Sequence, residues 1–370
     1  MLELLRDELA RGISAGLHLG AQAYVSRHGE VVEDCAVGEA RSGEPLTPEH
    51  LMAWASSSKP AAAIAIAQLW ERGLLALDDR VTRFLPEFAA GGKEAITLRH
   101  CLTHTAGFRM LDVGWPENSW EEILARICRG RLEPRWVPGE RAGYHQQSSW
   151  FVLGEVVRRA DGRPFERYVR EMIFEPLGLD DCWIGMPADR FHAYGSRIAP
   201  VWNTEAAPPR DHGWNDEPRV TRCAPGSNGF GPARQLGRLY EALLTGGQRG
   251  GTRILLPQTI EAIAARHRVG LVDQTFRKEM DWGLGVIPNP AVHGDPDVPY
   301  AYGRHASRRA FGHSGYRSST AFADPEHGLA VVLITNGTPA DTAHAERMRA
   351  LTEAIYTELN LERRAEVPGA

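Results

Sequence analysis

Lysine is scarce in this chain of 370 residues. Only Lys59, Lys93 and Lys278 stand among 42 lysine and arginine residues, so arginine fills nearly every cationic position. A position that remains lysine is of interest because an ammonium can lose its proton in a desolvated site, whereas a guanidinium effectively cannot. The net charge of −5 also lacks the basic excess that a nucleic-acid surface requires. We therefore expect no nucleic-acid partner.

Long apolar runs and paired cysteines are also absent. No stretch approaches the ~20 apolar residues of a membrane span. The opening segment MLELLRDELARG carries acids and arginines where a signal peptide has an apolar core. Five cysteines are scattered without a C-x-x-C pair, which is typical of buried thiols in a reducing compartment. The sequence therefore predicts a cytoplasmic protein with no membrane partner.

Strand patterns at both ends of the chain enclose a helical middle. Residues 1–12 predict a helix, and the alternating run that turns at His28 and Gly29 predicts a β-hairpin. After residue 300 the strand patterns return, and a helix at about 341–360 closes the pattern. Together these patterns predict an α+β fold in which one sheet is built from both ends of the chain.

The middle of the chain reads as helices broken by many prolines and glycines. Candidate helices with apolar residues at helical spacing are 97–103, 119–129, 148–160, 164–173, 232–246 and 257–266. We expect a sheet domain formed by 1–75 plus 300–370, and a mostly helical inserted domain at 76–299.

A long polar segment at 186–226 contains several prolines and two tryptophans, Trp202 and Trp214. A loop of this length in a compact protein is usually functional or disordered, and its aromatic residues favour a functional role. Trp115 and Trp282 stand in other candidate loops. These four tryptophans are candidates for the apolar wall of a binding pocket, although tryptophan is also ordinary core material.

The segment AWASSSKPAAAIAIAQLWERG contains the spacing S-x-x-K at Ser56 and Lys59. Residues three apart share one face of a helix, so both side chains would point the same way from the first turn. The positive potential of a helix N-terminus would lower the pKa of the amine and stabilise an oxyanion. A serine cap beside a solvated lysine is the alternative, but the run that follows is too apolar for a surface. Ser56 is therefore a candidate nucleophile and Lys59 a candidate base.

Two other patterns carry weaker signals. Residues 12–16 match G-x-S-x-G around Ser14, but they follow a helix and precede a strand, whereas that motif acts on a strand-to-helix turn. His100 and His104 stand four residues apart, yet no third ligand follows at a suitable spacing for a metal. No phosphate-binding loop or dinucleotide fingerprint is present. We expect neither a metal nor another cofactor.

Six segments follow one another in order between about residues 15 and 357: MAWASSSKPAAAIAIAQLW, ITLRHCLTHTAGF, WVPGERAGYHQQSSWFVLGEVV, SNGFGPARQLGRLYEALLTGG, DWGLG and FGHSGYRSSTAFADPEHGLAVVLITNG. Together they resemble the landmarks of the serine β-lactamase and D,D-peptidase superfamily, in its class C and carboxylesterase branch. The resemblance implies a β-lactamase/transpeptidase-like fold, with an antiparallel sheet flanked by helices.

The resemblance also implies an acyl-enzyme mechanism. Ser56 would attack a carbonyl, and either Lys59 or Tyr144 would take its proton; the sequence leaves open which of the two is the base. The backbone N–H groups of Ser56 and Tyr316 would form the oxyanion hole. His145, beside the tyrosine, is a candidate second acid or base, or a structural residue. The residues expected to bind substrate are His145, Gln146, His313, Ser314, Gly315 and Tyr316.

Two positions depart from the β-lactamase pattern. Gln146 stands where tyrosine-x-asparagine has its asparagine, and His313 stands where lysine-threonine-glycine has its lysine. Both departures are similar to esterase-like members and argue against antibiotic hydrolysis as the main activity.

The sequence therefore predicts a serine hydrolase or acyltransferase that acts on a small-molecule ester or amide through acyl-Ser56. The acyl group would pass to water, as in a carboxylesterase, or to an amine or alcohol that is a second substrate. A dedicated transacylase of specialised metabolism is the alternative. The joint presence of Ser56, Lys59 and Tyr144 disfavours a catalytically silent binding protein.

Overall fold

The helices and strands are defined by a computed structural model, which describes residues 1–294 and 298–362. Within these residues the α-helices are α1 (Glu3–Ser14), α2 (Lys59–Glu71), α3 (Leu98–Leu102), α4 (Trp120–Arg129), α5 (Ser148–Asp161), α6 (Phe165–Val169), α7 (Ala188–Tyr194), α8 (Glu217–Thr221), α9 (Ala233–Leu244), α10 (Pro257–Ala264) and α11 (Asp341–Glu358). The strands are β1 (Gly20–Arg27), β2 (Glu30–Arg41), β3 (Glu44–Pro45), β4 (Met52–Ala55), β5 (Trp183–Ile184), β6 (Trp202–Asn203), β7 (Arg210–Asp211), β8 (Gly229–Gly231), β9 (Gln248–Arg249), β10 (Thr252–Arg253), β11 (Val272–Asp273), β12 (Lys278–Glu279), β13 (Ile287–Pro288), β14 (Phe311–Gly315), β15 (Ser319–Asp324), β16 (Leu329–Thr335) and β17 (Gly337–Thr338).

One antiparallel sheet of seven strands organises the molecule, in the order β13-β14-β15-β16-β1-β2-β3. At its centre β1 pairs with β16, from Ala21 opposite Thr335 to Arg27 opposite Leu329. Strands from the two ends of the chain are therefore direct neighbours. The predicted α+β fold with an antiparallel sheet built from both ends is confirmed.

Both faces of this sheet are covered, which explains why β16 is a continuous apolar run, LAVVLIT, that is buried throughout. Alternate residues of a strand point to opposite faces. On one face Val331 and Leu333 pack with apolar residues of α1 and α11. On the other face Val332 and Ile334 belong to the larger core that includes α2, α5 and α9.

The predicted helices of the middle region are present, with ends that differ by a few residues from the sequence estimate. The C-terminal part of the predicted helix 164–173 continues beyond α6 as a π-helical turn, Arg170–Phe174. Segment 186–226, predicted as one long loop, instead contains α7, α8, β6 and β7. These elements are only two to seven residues long, too short for a periodic pattern to reveal them.

The division into two domains remains a prediction. Strand β13 joins the main sheet ahead of residue 300, so the sheet takes in chain on both sides of that boundary. Residues 295–297 and 363–370, which the prediction assigned to the helical and sheet domains, lie outside the described residues. In the described part of the chain, no helix is long and apolar enough to cross a membrane.

Candidate active site

Ser56 begins a 3₁₀ turn, Ser56–Ser58, that connects β4 to α2. The residue before it, Ala55, has φ 48° and ψ −130°, a conformation that costs a non-glycine residue roughly 1–3 kcal/mol. Ser57 Oγ donates to His313 O at 3.1 Å, and Ser58 Oγ accepts the Gly229 N–H at 2.8 Å. The two serines that follow Ser56 therefore hold the strained turn between β14 and β8.

Lys59 is fully buried beneath Ser56. Its Nζ lies 2.9 Å from Ser56 Oγ, 2.9 Å from Gly226 O and 3.1 Å from Gln146 O. Burial lowers the pKa of this amine well below its usual value. A neutral amine has two N–H groups and one lone pair, so it can donate to both carbonyls and accept the Ser56 hydroxyl proton. The predicted S-x-x-K pair is thus brought together as a hydrogen-bonded unit.

Gly226 can place its carbonyl oxygen beside Lys59 Nζ because it has no side chain. A Cβ at residue 226 would lie 2.6 Å from Cγ of Trp150, far inside contact distance. The same indole lies under the lysine, with Nζ 5.4 Å from the ring centre. Glycine therefore allows the chain to approach Trp150 closely enough for its carbonyl to reach Lys59.

Lys93 shows that burial of a lysine is not by itself a catalytic signal. It is also fully buried, and its Nζ donates to the carbonyl oxygens of Ala90, Cys128 and Gly130. Three carbonyl acceptors match the three N–H groups of an ammonium and leave no lone pair for a proton from serine. Lysine scarcity therefore pointed to two buried lysines, of which Lys59 alone contacts Ser56.

Tyr144 lies beside this pair, with its ring centre 5.0 Å from Lys59 Nζ. Burial raises the pKa of the phenol well above its usual value, and the nearby Ser56 hydroxyl opposes this only in part. The Tyr144 hydroxyl is buried and forms no regular hydrogen bond with another described residue. The sequence left open whether the lysine or the tyrosine is the base. The surroundings of Lys59 favour a neutral amine, and those of Tyr144 favour a neutral phenol.

The two residues after the tyrosine occupy different environments. His145 is fully buried, and its Nε2 accepts the Phe108 N–H at 3.3 Å. Burial lowers the pKa of His145 to about 3, and its ring packs on Phe108 at 5.0 Å, away from the cavity. Gln146 is exposed, lines the cavity and supplies a carbonyl to Lys59.

Strand β14 brings His313 to the side of the sheet on which Tyr144 lies. Its Nδ1 lies 2.8 Å from Ser314 O, and its Nε2 is buried without a partner among the described residues. Burial, reinforced by Lys59, lowers the pKa of His313 well below its usual value. The imidazole packs near Tyr144, with 6.1 Å between ring centres. A neutral ring therefore stands where the superfamily pattern has a cationic lysine.

The Ser314 side chain points to the face of β14 opposite to that of His313. It is opposite Thr320 in the β14–β15 pair, and its Oγ lies 3.1 Å from Thr320 Oγ1. Since neighbouring residues of a strand face opposite sides, its hydroxyl lies on the face away from His313 and does not line the cavity. Its predicted contact with substrate remains a prediction that this orientation does not support.

Gly315 and Tyr316 complete the strand end beside Ser56. A Cβ at residue 315 would lie 2.4 Å from Trp54 O, so glycine lets β14 pack closely against the chain just before Ser56. Tyr316 is 48% exposed and lines the cavity. No hydrogen bond from the backbone N–H of Ser56 or Tyr316 to another backbone group occurs in the described residues. Both groups remain free to bind an oxyanion.

A cavity of about 350 Å³ opens in front of Ser56. Its aromatic walls are Trp115, Tyr144, Trp214, Phe230, Tyr300 and Tyr316. Trp202 and Trp282, also predicted for the pocket, lie elsewhere. Trp202 Nε1 donates to Ala40 O at 3.1 Å, and Trp282 is fully buried behind Tyr144.

Sequence reasoning missed several cavity residues: Gln147, Arg219, Ser227, Asn228, Phe230 and Tyr300. Two of the polar ones, Ser227 and Asn228, fall in the quoted SNG segment, so the resemblance was an available signal for them. Arg219 and Tyr300 come from unrelated parts of the chain with no spacing to connect them. Only the fold brings them to one cavity.

The residues of the two weaker sequence patterns occupy structural positions. Ser14 Oγ donates to Ala10 O within α1 on an exposed surface. His100 Nδ1 accepts the Thr97 N–H as a helix cap, whereas His104 packs against Tyr144 at 4.7 Å. Among the described residues, no group of three or more His, Cys, Asp or Glu side chains could hold a metal ion.

Comparison with known proteins identifies the family of this chain. A family model described as Beta-lactamase matches residues 7–354. The chain belongs to the beta-lactamase family. The resemblance seen in the sequence is thereby confirmed, and this beta-lactamase family member is a serine hydrolase of the β-lactamase-like superfamily.

Individual relatives include esterases and penicillin-binding homologues. This family member is 30% identical over 382 residues to Esterase EstB of Burkholderia gladioli, which covers 91% of each chain. A crystal structure of a penicillin-binding protein homologue from Caulobacter crescentus has 31% identity and a TM-score of 0.77, covering 96% of this chain and 97% of that one. A family VIII carboxylesterase has 29% identity and a TM-score of 0.78, with the same coverage.

Proposed function

We propose that this protein hydrolyses a small-molecule carboxylic ester through an acyl-enzyme on Ser56. The observation that carries the proposal is the 2.9 Å contact between Ser56 Oγ and a fully buried lysine amine at the edge of a cavity. The esterase EstB and the family VIII carboxylesterase, both similar along nearly the whole chain, support an ester as the substrate class.

In this proposal Lys59 is the base that activates Ser56. Its depressed pKa makes the neutral amine available, whereas a phenolate on Tyr144 would be destabilised by burial. As Ser56 attacks the carbonyl, its proton passes to Lys59, which becomes an ammonium held by Gln146 O and Gly226 O. General base catalysis of this kind contributes about 10²–10⁴ in rate.

Tyr144 then carries the proton to the leaving group. Once Lys59 is an ammonium, its charge 5.0 Å from the phenol ring lowers the pKa of that phenol. Tyr144 can therefore release its proton to the departing alkoxide and regain one from Lys59. The backbone N–H groups of Ser56 and Tyr316 would bind the oxyanion, a role worth about 3–4 kcal/mol per donor in other enzymes.

A direct test is covalent labelling of the nucleophile together with ester turnover. A fluorophosphonate probe is expected to add once to the protein, on Ser56, with loss of hydrolysis of short-chain aryl esters. Intact mass followed by peptide mapping identifies the site. Labelling elsewhere, or hydrolysis that survives full labelling of Ser56, contradicts the proposal; no labelling and no turnover would support a catalytically silent binding protein instead.

Transfer of the acyl group to an amine or alcohol is the second candidate function. It is favoured by segment 186–226, which contributes Trp214 and Arg219 to the cavity and so offers contacts for an acceptor. A bound acceptor is positioned for attack, an advantage of up to about 7–11 kcal/mol in ideal geometry. Such a transacylase would use the same acyl-Ser56.

We expect hydrolysis to dominate for simple aryl esters. The measurement is the ratio of acid to transfer product as an added amine or alcohol increases at fixed ester concentration. A ratio that follows bulk competition with water supports the esterase. Saturable diversion to transfer product, with release of the first alcohol unchanged, contradicts it and identifies a transacylase.

Penicillins and cephalosporins are expected to be poor substrates. Strand β14 presents the buried, neutral His313 where β-lactamases have a lysine, so the cation that would bind the β-lactam carboxylate at this position is missing. We predict kcat/KM for nitrocefin well below about 10⁴ M⁻¹s⁻¹, the lower end for ordinary enzyme–substrate pairs. Turnover near 10⁶ M⁻¹s⁻¹, within the range of efficient enzymes, would assign the protein to antibiotic hydrolysis instead.

A further inference from the structure

Among the described residues that line the cavity in front of Ser56, Arg219 is the only charged one. The other described residues that line it are aromatic, small apolar or uncharged polar residues, and none of them carries a carboxylate. In the part of the chain that the structure describes, the Arg219 guanidinium has no salt-bridge partner. A positive charge therefore faces this cavity, and none of the described acidic residues pairs with it.

Two neighbouring arginines make contacts of a different kind. Arg222, three residues later, donates from Nη1 to the carbonyl oxygens of Pro116 and Glu117. Arg109 pairs with Glu133 at 3.2 Å. Both guanidinium groups have partners within the protein, so the unpaired state of Arg219 is not a general property of the arginines around this site.

Arg219 is held in place relative to the nucleophile. Asn228 Nδ2 donates to the carbonyl oxygens of Arg219 and Arg222, at 3.3 and 2.9 Å, and so fixes the end of α8. The next residue, Gly229, donates its N–H to Ser58 Oγ at 2.8 Å. Two short links therefore connect the backbone of Arg219 to the turn that begins with Ser56.

The Arg219 guanidinium also packs against an aromatic ring. Its central carbon lies 5.6 Å from the centre of the Trp115 ring, within cation–π range. Trp115 is itself fixed, because its Nε1 donates to Arg222 O at 3.0 Å. An arginine held on an aromatic face loses less conformational freedom when it binds an anion, which favours recognition over simple solvation.

We propose that Arg219 binds a carboxylate carried by the substrate, so that the enzyme prefers esters with a second, anionic group. The inference rests on the proposed esterase activity and adds the substrate class to it. The planar guanidinium matches a carboxylate through two parallel hydrogen bonds. The carboxylate can belong to the acyl group or to the alcohol, and the two cases are separated by experiment.

The experiment compares matched pairs of esters. For the acyl side, the pair is monophenyl adipate and phenyl 6-methylheptanoate, which differ by a carboxylate in place of an isopropyl group. For the alcohol side, the pair is 3-acetoxybenzoate and 3-isopropylphenyl acetate. In one of the pairs the anionic ester is expected to have the higher kcat/KM, and this preference is expected to fall as salt screens the charge.

Variants at Arg219 test whether this side chain is responsible. Arg219→Gln is expected to reduce the preference for the anionic ester about tenfold, the lower end for a hydrogen bond to a charged group, because Arg219 is partly exposed. Hydrolysis of the neutral esters should fall much less than hydrolysis of the anionic ones, because the neutral esters carry no carboxylate for Arg219 to bind. Arg219→Lys, which retains the charge but not the two-pronged geometry, should lose part of the preference.

Arg210→Gln is the matched control. Arg210 lies in the same segment, is exposed and does not line the cavity, so its loss removes the same charge without touching the site. In Arg210→Gln, the ratio of kcat/KM for the anionic ester to kcat/KM for its neutral counterpart should equal the wild-type ratio. No preference in either wild-type pair, or a preference that survives in Arg219→Gln, overturns the proposal; an equal loss in Arg210→Gln also does so, because it indicates a general charge effect.

Failure of the esterase function is distinguishable from failure of this inference. If wild-type protein hydrolyses none of the four esters, the proposed function fails, and carboxylate binding is then measured directly by calorimetry. The probes are adipate and 3-hydroxybenzoate, titrated into wild-type protein and Arg219→Gln. Binding of at least one probe to the wild type that weakens in the variant supports the site; no binding of either, or equal binding by both proteins, overturns it.

Discussion

Replacing Ser56 by alanine is expected to abolish ester hydrolysis while leaving the fold unchanged. The substitution removes only the Oγ that contacts Lys59, so the fall in kcat should exceed about 10⁴-fold, as for removal of a nucleophile elsewhere. Stability should change little, because the turn is held by Ser57 and Ser58, whose hydroxyls bond to His313 O and Gly229 N–H. Steady-state kinetics and thermal unfolding measure the two effects.

The control for this substitution is Ser14→Ala. Ser14 belongs to a motif that resembles a nucleophile elbow, but its hydroxyl bonds only within α1. Its removal should leave kcat and KM at wild-type values. Substantial turnover by Ser56→Ala, or a large loss in Ser14→Ala, would refute the assignment of Ser56 as the nucleophile.

Lys59→Arg is expected to be nearly as inactive as Lys59→Ala. Arginine preserves the positive charge but cannot release its proton at accessible pH, and its larger head does not fit among Ser56 Oγ, Gln146 O and Gly226 O. We expect each variant to retain less than about a tenth of the wild-type rate, a barrier increase above about 1.4 kcal/mol. An arginine variant above that level would make Lys59 an electrostatic contributor and not a proton carrier.

The pH dependence supplies an independent readout of the same residue. Because burial lowers the pKa of Lys59, the neutral amine is the resting form over a pH range that begins well below the usual lysine pKa. The kcat/KM for a neutral ester should therefore rise with pH through the depressed pKa and stay level above it. A rate that rises only near the pKa of an ordinary lysine would show that Lys59 is not desolvated.

Lys93 is the matched control for burial of a lysine. Lys93→Met leaves the carbonyl oxygens of Ala90, Cys128 and Gly130 without their donor, and an unsatisfied buried acceptor costs about 1–3 kcal/mol. We expect a lower unfolding temperature and an unchanged kcat per folded molecule. Lost activity without lost stability would assign Lys93 an unforeseen part in the reaction.

Local spacing in the sequence accounts for one pair of site residues and for several helices and strands of this protein. Ser56 and Lys59 are one helical turn apart, so any helix that starts there brings them together, and Lys59 Nζ does reach Ser56 Oγ. The hairpin at His28 and Gly29 and the closing helix α11 follow from patterns a few residues long. The sheet built from both chain ends followed from strand patterns at the two termini, supported by the family resemblance.

Strand alternation accounts for one difference between prediction and structure. The resemblance treated His313, Ser314 and Gly315 as a unit that binds substrate. In β14, however, His313 lies near Tyr144 at 6.1 Å, whereas Ser314 pairs with Thr320 on the other face. A period of two residues separates neighbours in a strand, and this consequence becomes visible once the face that carries the cavity is known.

What the sequence by itself determined is which residues can react: a serine and a lysine at helical spacing, with a tyrosine supplied by the family resemblance. Only the tertiary structure decided their state. Burial lowers the pKa of Lys59, whose Nζ contacts carbonyl oxygens 87 and 167 residues away along the chain, and Arg219 reaches the cavity in front of Ser56 from a five-residue helix. Reactivity depends on desolvation and on the charges nearby, and these come from segments that meet only when the whole chain has folded.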